Sequence, residues 1–277
     1  MTLARLLQIH SPSGADPAAL NWLLSGILDC SVPELALLKE RELTPSRQKA
    51  ILDALQRFGE GEPPQYILGK TWFWGLELRL DARVLIPRPE TEGLVELALS
   101  LAKPGAKVLD IGTGSGAIAI ALKKIRPDLV LTATDLSSEA LQVAHENAAF
   151  HTVQISFEES NLFPAGEEKL DLIVSNPPYV SQAEHETLPR SLRDFEPSRA
   201  LLAGADGLGV FRHIFAALPQ RLTPDGIAIF EHGDTQREKL MALGENAGLH
   251  CLLATDDLAG KNRYLAFMLE KPADPLP

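Results

Sequence analysis

The chain is poor in the residues that would staple it together or plant it in a membrane. Of its 277 residues only two are cysteines, Cys30 and Cys251. They stand far apart, which gives neither a disulfide framework nor a zinc-ligand spacing. No metal is expected, and a reducing, cytoplasmic setting is. No apolar run approaches the roughly 18 residues of a membrane span, and the N-terminus shows no charged-then-apolar leader. A membrane partner is therefore not expected. Positive charge is scarce as well: 26 Lys and Arg against 37 Asp and Glu leave a net charge of −11. The electrostatic footprint that supplies most non-specific nucleic-acid affinity is missing from the total. That disfavours a stable nucleic-acid partner and suits a basic protein partner. Internal repeats and low-complexity segments are absent too.

What is present is ordinary globular material, 45% hydrophobic and 23% charged, enough for one large domain and a small one. Residues 1–64 read as a helical domain. Leu3, Leu6, Leu7, then Leu20, Leu23, Leu24, Ile27 and Leu28 recur at three- and four-residue spacing. Thr44-Pro45 reads as an N-cap with proline at the first helical position, and the stretch Gly59 to Pro64 as a stop. Residues 65–87 read as a β-hairpin linker. Trp72, Phe73 and Trp74, then Leu76, Leu78 and Leu80, flank Gly75, and the aromatics are assigned to hairpin packing.

Residues 88–277 alternate strand and helix. Strands are expected at Lys107 to Ile111, Val130 to Thr134, Gln154 to Glu158, Leu170 to Ser175, Ile227 to Glu231, His250 to Ala254 and Arg263 to Leu269, with helices at Glu92 to Leu101, Ala117 to Lys124, Ser138 to Phe150, Phe211 to Leu222 and Gln236 to Ala247. This predicts an α/β fold with a mainly parallel sheet covered on both faces. The short link Thr255 to Asn262 leaves no room for a crossover helix, so the last two strands should pair antiparallel. A seven-stranded sheet with one reversed strand resembles the Rossmann-like fold of S-adenosylmethionine-dependent methyltransferases.

Two motifs carry the chemistry. The first is Asp110-Ile111-Gly112-Thr113-Gly114-Ser115-Gly116, after the first strand of that alternation. Its glycines permit a tight turn and close ligand approach, and the helix that follows offers free amides. Asp135 ends the next strand, where a carboxylate can accept both ribose hydroxyls; the alternative is an N-cap before Ser138. Asp110 is expected near the methionyl ammonium of the donor, or else orders the loop through backbone amides. The donor-contacting set is thus Asp110, Gly112, Thr113, Gly114, Ser115, Gly116 and Asp135. Asn161, Leu162 and Phe163 are candidates to cover the adenine.

The second motif is Asn176-Pro177-Pro178-Tyr179, at the end of a buried strand. Asn176 precedes proline and is biased to extended backbone. Its side-chain oxygen and the Pro177 carbonyl can each accept one N–H of a planar NH2 group. With both hydrogens held, the nitrogen lone pair is aimed at the methyl group, and two acceptors raise its electron density. Tyr179 can pack on the planar acceptor. The two motifs together point to an S-adenosylmethionine-dependent methyltransferase acting on an amide or amino nitrogen. The same tetrapeptide also serves enzymes that methylate the exocyclic nitrogen of adenine, those on DNA after flipping the base. An adenine N6-methyltransferase is therefore the alternative.

Further stretches favour one reading. Leu85-Ile86-Pro87-Arg88-Pro89-Glu90-Thr91-Glu92, Leu109 to Gly116, Val174 to Tyr179, Arg193-Asp194-Phe195-Glu196-Pro197 and Glu231-His232-Gly233 together resemble the bacterial release factor glutamine methyltransferase family, over essentially the whole chain. The resemblance implies methyl transfer from S-adenosylmethionine to the side-chain N5 of the glutamine in the Gly-Gly-Gln loop of class I peptide chain release factors, leaving S-adenosylhomocysteine. It implies that Gly112 to Gly116 and Asp135 hold the donor, that Asn176, Pro177, Pro178 and Tyr179 hold the glutamine amide, and that Asn176 touches both. It assigns residues 1–64 to grasping the release factor and the loops at 88–92 and 193–199 to walling the acceptor pocket. Several relatives carry an aromatic residue at the position of Leu162, which here would form an apolar edge. A monomer is expected.

Overall fold

The computed structural model describes residues 1–270; the end of the expected third segment, 271–277, lies outside the described residues. The chain opens with helices α1 (Leu3–His10), α2 (Pro17–Leu28), α3 (Val32–Leu38) and α4 (Pro45–Gly59). Each starts where a short polar side chain, Thr2, Asp16, Ser31 or Thr44, accepts from a backbone N–H of the first turn. Their apolar stripes close on one another through Leu3, Leu6, Leu24, Leu28, Leu35, Leu43, Ile51 and Leu55. The proline-rich stretch that reads as a stop in the sequence also starts a helix. Pro64 is the first residue of the short α5 (Pro64–Leu68), where its missing N–H costs nothing.

The hairpin follows as β1 (Lys70–Phe73) and β2 (Leu76–Arg79), antiparallel, with Phe73 opposite Leu76. Trp74 and Gly75 form its two-residue turn, both at positive φ (52° and 69°), the backbone that matches strand twist. Phe73 is buried, but Trp72 is 58% exposed, so packing within the hairpin does not account for it. Residues 80–88 are irregular and lead into α6 (Pro89–Leu101).

The remainder runs β3 (Lys107–Ile111), α7 (Ala117–Ile125), β4 (Val130–Asp135), α8 (Ser138–Phe150), β5 (Ser156–Glu159), β6 (Leu170–Ser175), the short α9 (Gln182–Thr187) and α10 (Arg190–Arg193), α11 (Gly209–Arg221), β7 (Leu222–Glu231), α12 (Arg237–Asn246), β8 (Leu249–Asp256) and β9 (Asn262–Leu269). The strands form one seven-stranded sheet in the order β5-β4-β3-β6-β7-β9-β8. Only β9 is reversed, antiparallel to both neighbours. β3 is covered on both faces: Val108 points into one core, Leu109 and Ile111 into the other.

The topology decides where chemistry can occur. From β3 the chain winds outward to β4 and β5, then crosses back to β6 on the other side of β3. The carboxyl ends of β3 and β6 therefore flank the switch point, where open α/β sheets bind ligands. Ile111 pairs with Ser175, and the Ser175 hydroxyl donates to the Ile111 carbonyl at 2.8 Å. The glycine loop and the Asn-Pro-Pro-Tyr motif, 60 residues apart in sequence, leave the sheet side by side.

Candidate active site

The glycine loop is built by three positive-φ glycines, Gly112 (71°), Gly114 (55°) and Gly116 (84°). They do different jobs. A side chain at Gly112 or Gly114 would project into open space, whereas one at Gly116 would meet Ile120 Cδ1 at 2.9 Å and Ala144 Cβ at 3.3 Å. The first two make a cradle and the third lets α7 and α8 close together. The amides of Gly112 and Thr113 donate to the Thr134 carbonyl at 2.8 and 2.9 Å. The Gly114 amide donates to Asp135 Oδ2 at 2.9 Å. Asp135 Oδ1 accepts from the Ser137 amide at 2.9 Å, and Ser137, not Asp135, caps α8. Each Asp135 oxygen keeps a lone pair for a further donor.

A cleft of ≈890 Å³, its open mouth included, lies against this loop, within the roughly 300–1,000 Å³ usual for small-molecule sites. Of the sequence-predicted residues it is lined by Gly112, Gly114, Asp135, Leu162, Asn176, Pro177 and Pro178, and Asn161 joins them. Leu162 has φ of 81°, a costly conformation for a leucine. The Thr134 hydroxyl holds it by donating to its carbonyl at 2.6 Å. Phe163 is not in the cleft; it packs on a core, under the Arg221 guanidinium.

Asp110, Thr113, Ser115 and Gly116 stand behind the wall rather than in it. Thr113 donates to Asp110 Oδ2 at 2.7 Å, and the Ser115 carbonyl accepts from Asn147 Nδ2 at 2.9 Å. Asp110 is fully buried and its Oδ1 has no partner among the described residues. Burial pushes its carboxyl up to about 7, against the pull of Thr113 and the Ala119 amide. An unpaired buried oxygen behind a glycine cradle is what a cationic ligand group would complete.

The structure adds wall residues the sequence reading missed. Leu136 is 64% exposed and lines the cleft beside Asp135. Its signal was present, a bulky apolar residue directly after a strand-ending acid, with no core to face. Ser160 and Ala200 join it, and Pro197 and Arg199 line the cleft from the stretch 193–199. The expected wall from loop 193–199 is thus in contact with the cleft, whereas residues 88–92 do not line it.

On the acceptor side the backbone of the motif is pinned. Gln236, buried at the start of α12, donates to the carbonyls of Tyr179 (2.9 Å) and Gly207 (3.2 Å) and accepts from the Gly233 amide (3.0 Å). Tyr179 turns from the cleft towards Gly233, and burial first, then Glu231, pushes its hydroxyl up to about 12. Asn176 Nδ2 donates to Thr91 Oγ1 at 3.0 Å, and Thr91 donates to Glu231 Oε2 at 2.7 Å. Among the described residues no protein group donates to Asn176 Oδ1 or to the Pro177 carbonyl. Both residues line the cleft, so two acceptors without a protein donor belong to its wall.

The chain matches the family model for the PrmC N-terminal domain over residues 4–69 and that for the methyltransferase small domain over 92–195. The release factor glutamine methyltransferase of Streptococcus pneumoniae is 40% identical over 225 residues, covering 80% of this chain and 81% of that protein. The one from Cereibacter sphaeroides is 39% identical over 261 residues, covering 93% of each. The chain belongs to the release factor glutamine methyltransferase family. A methyltransferase structure from Pyrococcus furiosus shares the fold, with a TM-score of 0.53 at 16% identity over 82% of this chain and 100% of that one.

Membership in the release factor glutamine methyltransferase family removes support from the adenine alternative. The block Ile86 to Glu92 has a structural account of its own. Glu196, almost fully buried, accepts from the Ile86 amide (3.2 Å) and from Arg88 (2.6 Å). Glu92 accepts from the Trp74 amide at 2.6 Å. The Tyr264 hydroxyl donates to the Glu90 carbonyl. One short stretch thus ties the hairpin, the 190s loop and β9 to the first turn of α6.

Proposed function

We propose that the chain methylates the side-chain N5 of the glutamine in the Gly-Gly-Gln loop of class I peptide chain release factors, with S-adenosylmethionine as donor. Family membership supports the reaction. The observation that carries the residue assignment is the pair of open acceptors, Asn176 Oδ1 and the Pro177 carbonyl, at the edge of a cleft built on the glycine cradle.

S-adenosylmethionine, when bound, supplies a methyl group activated by its sulfonium. Gly112 and Gly114 allow its close approach, Asp135 accepts from the ribose hydroxyls, and Leu136 and Leu162 offer apolar walls to the base. Asp110 lies behind the loop as a buried negative group for the ammonium. Asn176 Oδ1 and the Pro177 carbonyl each accept one N–H of the glutamine amide. An amide nitrogen is a weak nucleophile because its lone pair is delocalised. Holding both hydrogens fixes the NH2 plane, raises electron density on nitrogen and points its face at the methyl group. The surplus proton leaves after transfer, so no strong base is required at the nitrogen. Pro178 shapes the same wall, and Tyr179 packs beside it.

The same reading assigns residues 1–64 to gripping the release factor, residues 65–87 to linking and 88–277 to catalysis, in a cytoplasmic monomer that needs no metal. Transfer of labelled methyl from S-adenosylmethionine tests it. Unmethylated release factor should accept label, while a release factor with alanine in place of the Gly-Gly-Gln glutamine, and adenine-containing DNA, should not. Label on the DNA, or on both release factors equally, would overturn the assignment.

A further inference from the structure

Behind Asn176, on the side away from the cleft, a carboxyl ends a two-bond chain. Glu231, the last residue of β7, is 1% exposed, and Thr91, in the first turn of α6, is 4% exposed. The bonds are those given above: Asn176 to Thr91 and Thr91 to Glu231.

The chain has a polarity set by its far end. A carboxylate only accepts. Thr91 must then use its single proton on Glu231, and towards Asn176 it can only accept. The half of the Asn176 amide that meets Thr91 is therefore the NH2, and the oxygen, with no donor among the described residues, is left free for a group in the cleft that Asn176 lines. Without that constraint the two halves of the amide are nearly interchangeable in shape, and a flipped Asn176 would present N–H groups to the N–H groups of the acceptor.

We propose that Glu231, acting through Thr91, is a positioning residue for methyl transfer: it holds the Asn176 amide with its oxygen towards the acceptor nitrogen. The inference rests on the reading of Asn176 as the group that holds that nitrogen.

Protonation removes the constraint. A neutral Glu231 can donate to Thr91, which can then donate to the Asn176 oxygen, and the amide turns over. Burial pushes the Glu231 carboxyl up to about 7. The bond from Thr91 and the Arg263 cation of β9 oppose this, Glu90 of α6 adds to it, and Asn176 opposes it. The other titratable groups facing it, Tyr179 and Tyr264, are themselves raised to about 12 and stay neutral. Because the raised carboxyl gains its proton as pH falls through about 7, kcat should fall with it.

Three variants test the assignment, each assayed with unmethylated release factor and S-adenosylmethionine, with donor affinity measured separately by calorimetry. Thr91→Val should lower kcat on the order of 10- to 100-fold, as when a hydrogen bond behind a metal ligand is removed, with donor affinity little changed. Thr91→Ser, which keeps the hydroxyl, should recover most of it. Glu231→Gln, which keeps the volume and removes the charge, should lose the acid limb of the pH profile. A Thr91→Val enzyme with wild-type kcat, or a Glu231→Gln enzyme with an unchanged acid limb, overturns the proposal. Should Thr91→Val fail to fold, the pH profile of Glu231→Gln decides alone. Asn176→Ala run in parallel separates the two levels. If it turns over like wild type, the reading of Asn176 itself fails; if it is inactive while Thr91→Val is wild type, only the positioning role fails.

Discussion

Asp110 is the residue at which stability and the proposed donor binding are most directly opposed. Burial raises its carboxyl from an ordinary 3.8 to about 7, so the folded state holds a proton that the unfolded state has released anywhere between those values. Stability therefore falls as pH rises through that window, and above it the full cost of a buried charge remains. Asp110→Asn removes the cost. Its melting temperature without donor should rise by several degrees at pH 8 and hardly change near pH 4, while affinity for S-adenosylmethionine drops. Thermal melts at the two pH values, with and without donor, check both halves. The cleft-lining Gly112, Gly114 and Asp135 were legible in the sequence because glycine spacing and a strand-ending acid report backbone geometry directly. Leu136 was overlooked although it follows a strand-ending acid, because a leucine reads as core until its 64% exposure is known. The link from Thr91 to Glu231 was hidden for another reason: its members lie 140 residues apart, and only strand order brings them together.

At the scale of elements, the glycine loop shows how one motif combines two physical roles. Gly116→Ala places a methyl against Ile120 and Ala144 at a φ of 84°, where α7 meets α8. It should cost about 1–3 kcal/mol of stability, read by urea unfolding. Gly112→Ala meets no protein atom, so with only the positive φ to oppose it it should cost about 1 kcal/mol and weaken donor binding more than it weakens the fold. A larger stability loss at Gly112 than at Gly116 would contradict this division. The long helices and the buried strands of the sheet were legible from their periodicity. The short helices α3, α5, α9 and α10 were not, since four to seven residues barely complete a repeat. Two of them nonetheless carry a reciprocal Ser-x-x-Glu capping box, Ser31 with Glu34 and Ser181 with Glu184, a start signal that needs no periodicity.

Across the whole molecule, the catalytic sheet is joined to its flanking loops by a few buried polar links rather than by apolar area alone. Glu196 is the clearest, accepting from Ile86 and Arg88 more than 100 residues away. Phe195 beside it packs against the small cluster of Tyr66, Leu80, Val84, Ile86, Ala140 and Val143, and the Tyr66 hydroxyl donates to the Val84 carbonyl at 2.6 Å. Glu196→Ala leaves Arg88 and the Ile86 amide without their acceptor. It should cost about 3 kcal/mol and loosen the loop that carries Pro197 and Arg199 into the cleft, visible as faster amide exchange around 193–200. The α/β class and the reversed last strand could be read from the order of elements and one short connection. The path of residues 80–88 could not, because it follows no period and is fixed by side chains that arrive from distant parts of the chain.

Methyl transfer as proposed depends on Asn176 holding the acceptor amide at a cleft that binds the methyl donor. Peptide mass spectrometry of release factor treated with wild-type or Asn176→Ala protein, alongside calorimetry of S-adenosylmethionine binding to each, tests it most directly. Wild type should add the mass of one CH2 to the peptide containing Gly-Gly-Gln, on the glutamine, while Asn176→Ala adds none yet retains measurable donor affinity. A glutamine methylated equally well by Asn176→Ala would contradict the central claim.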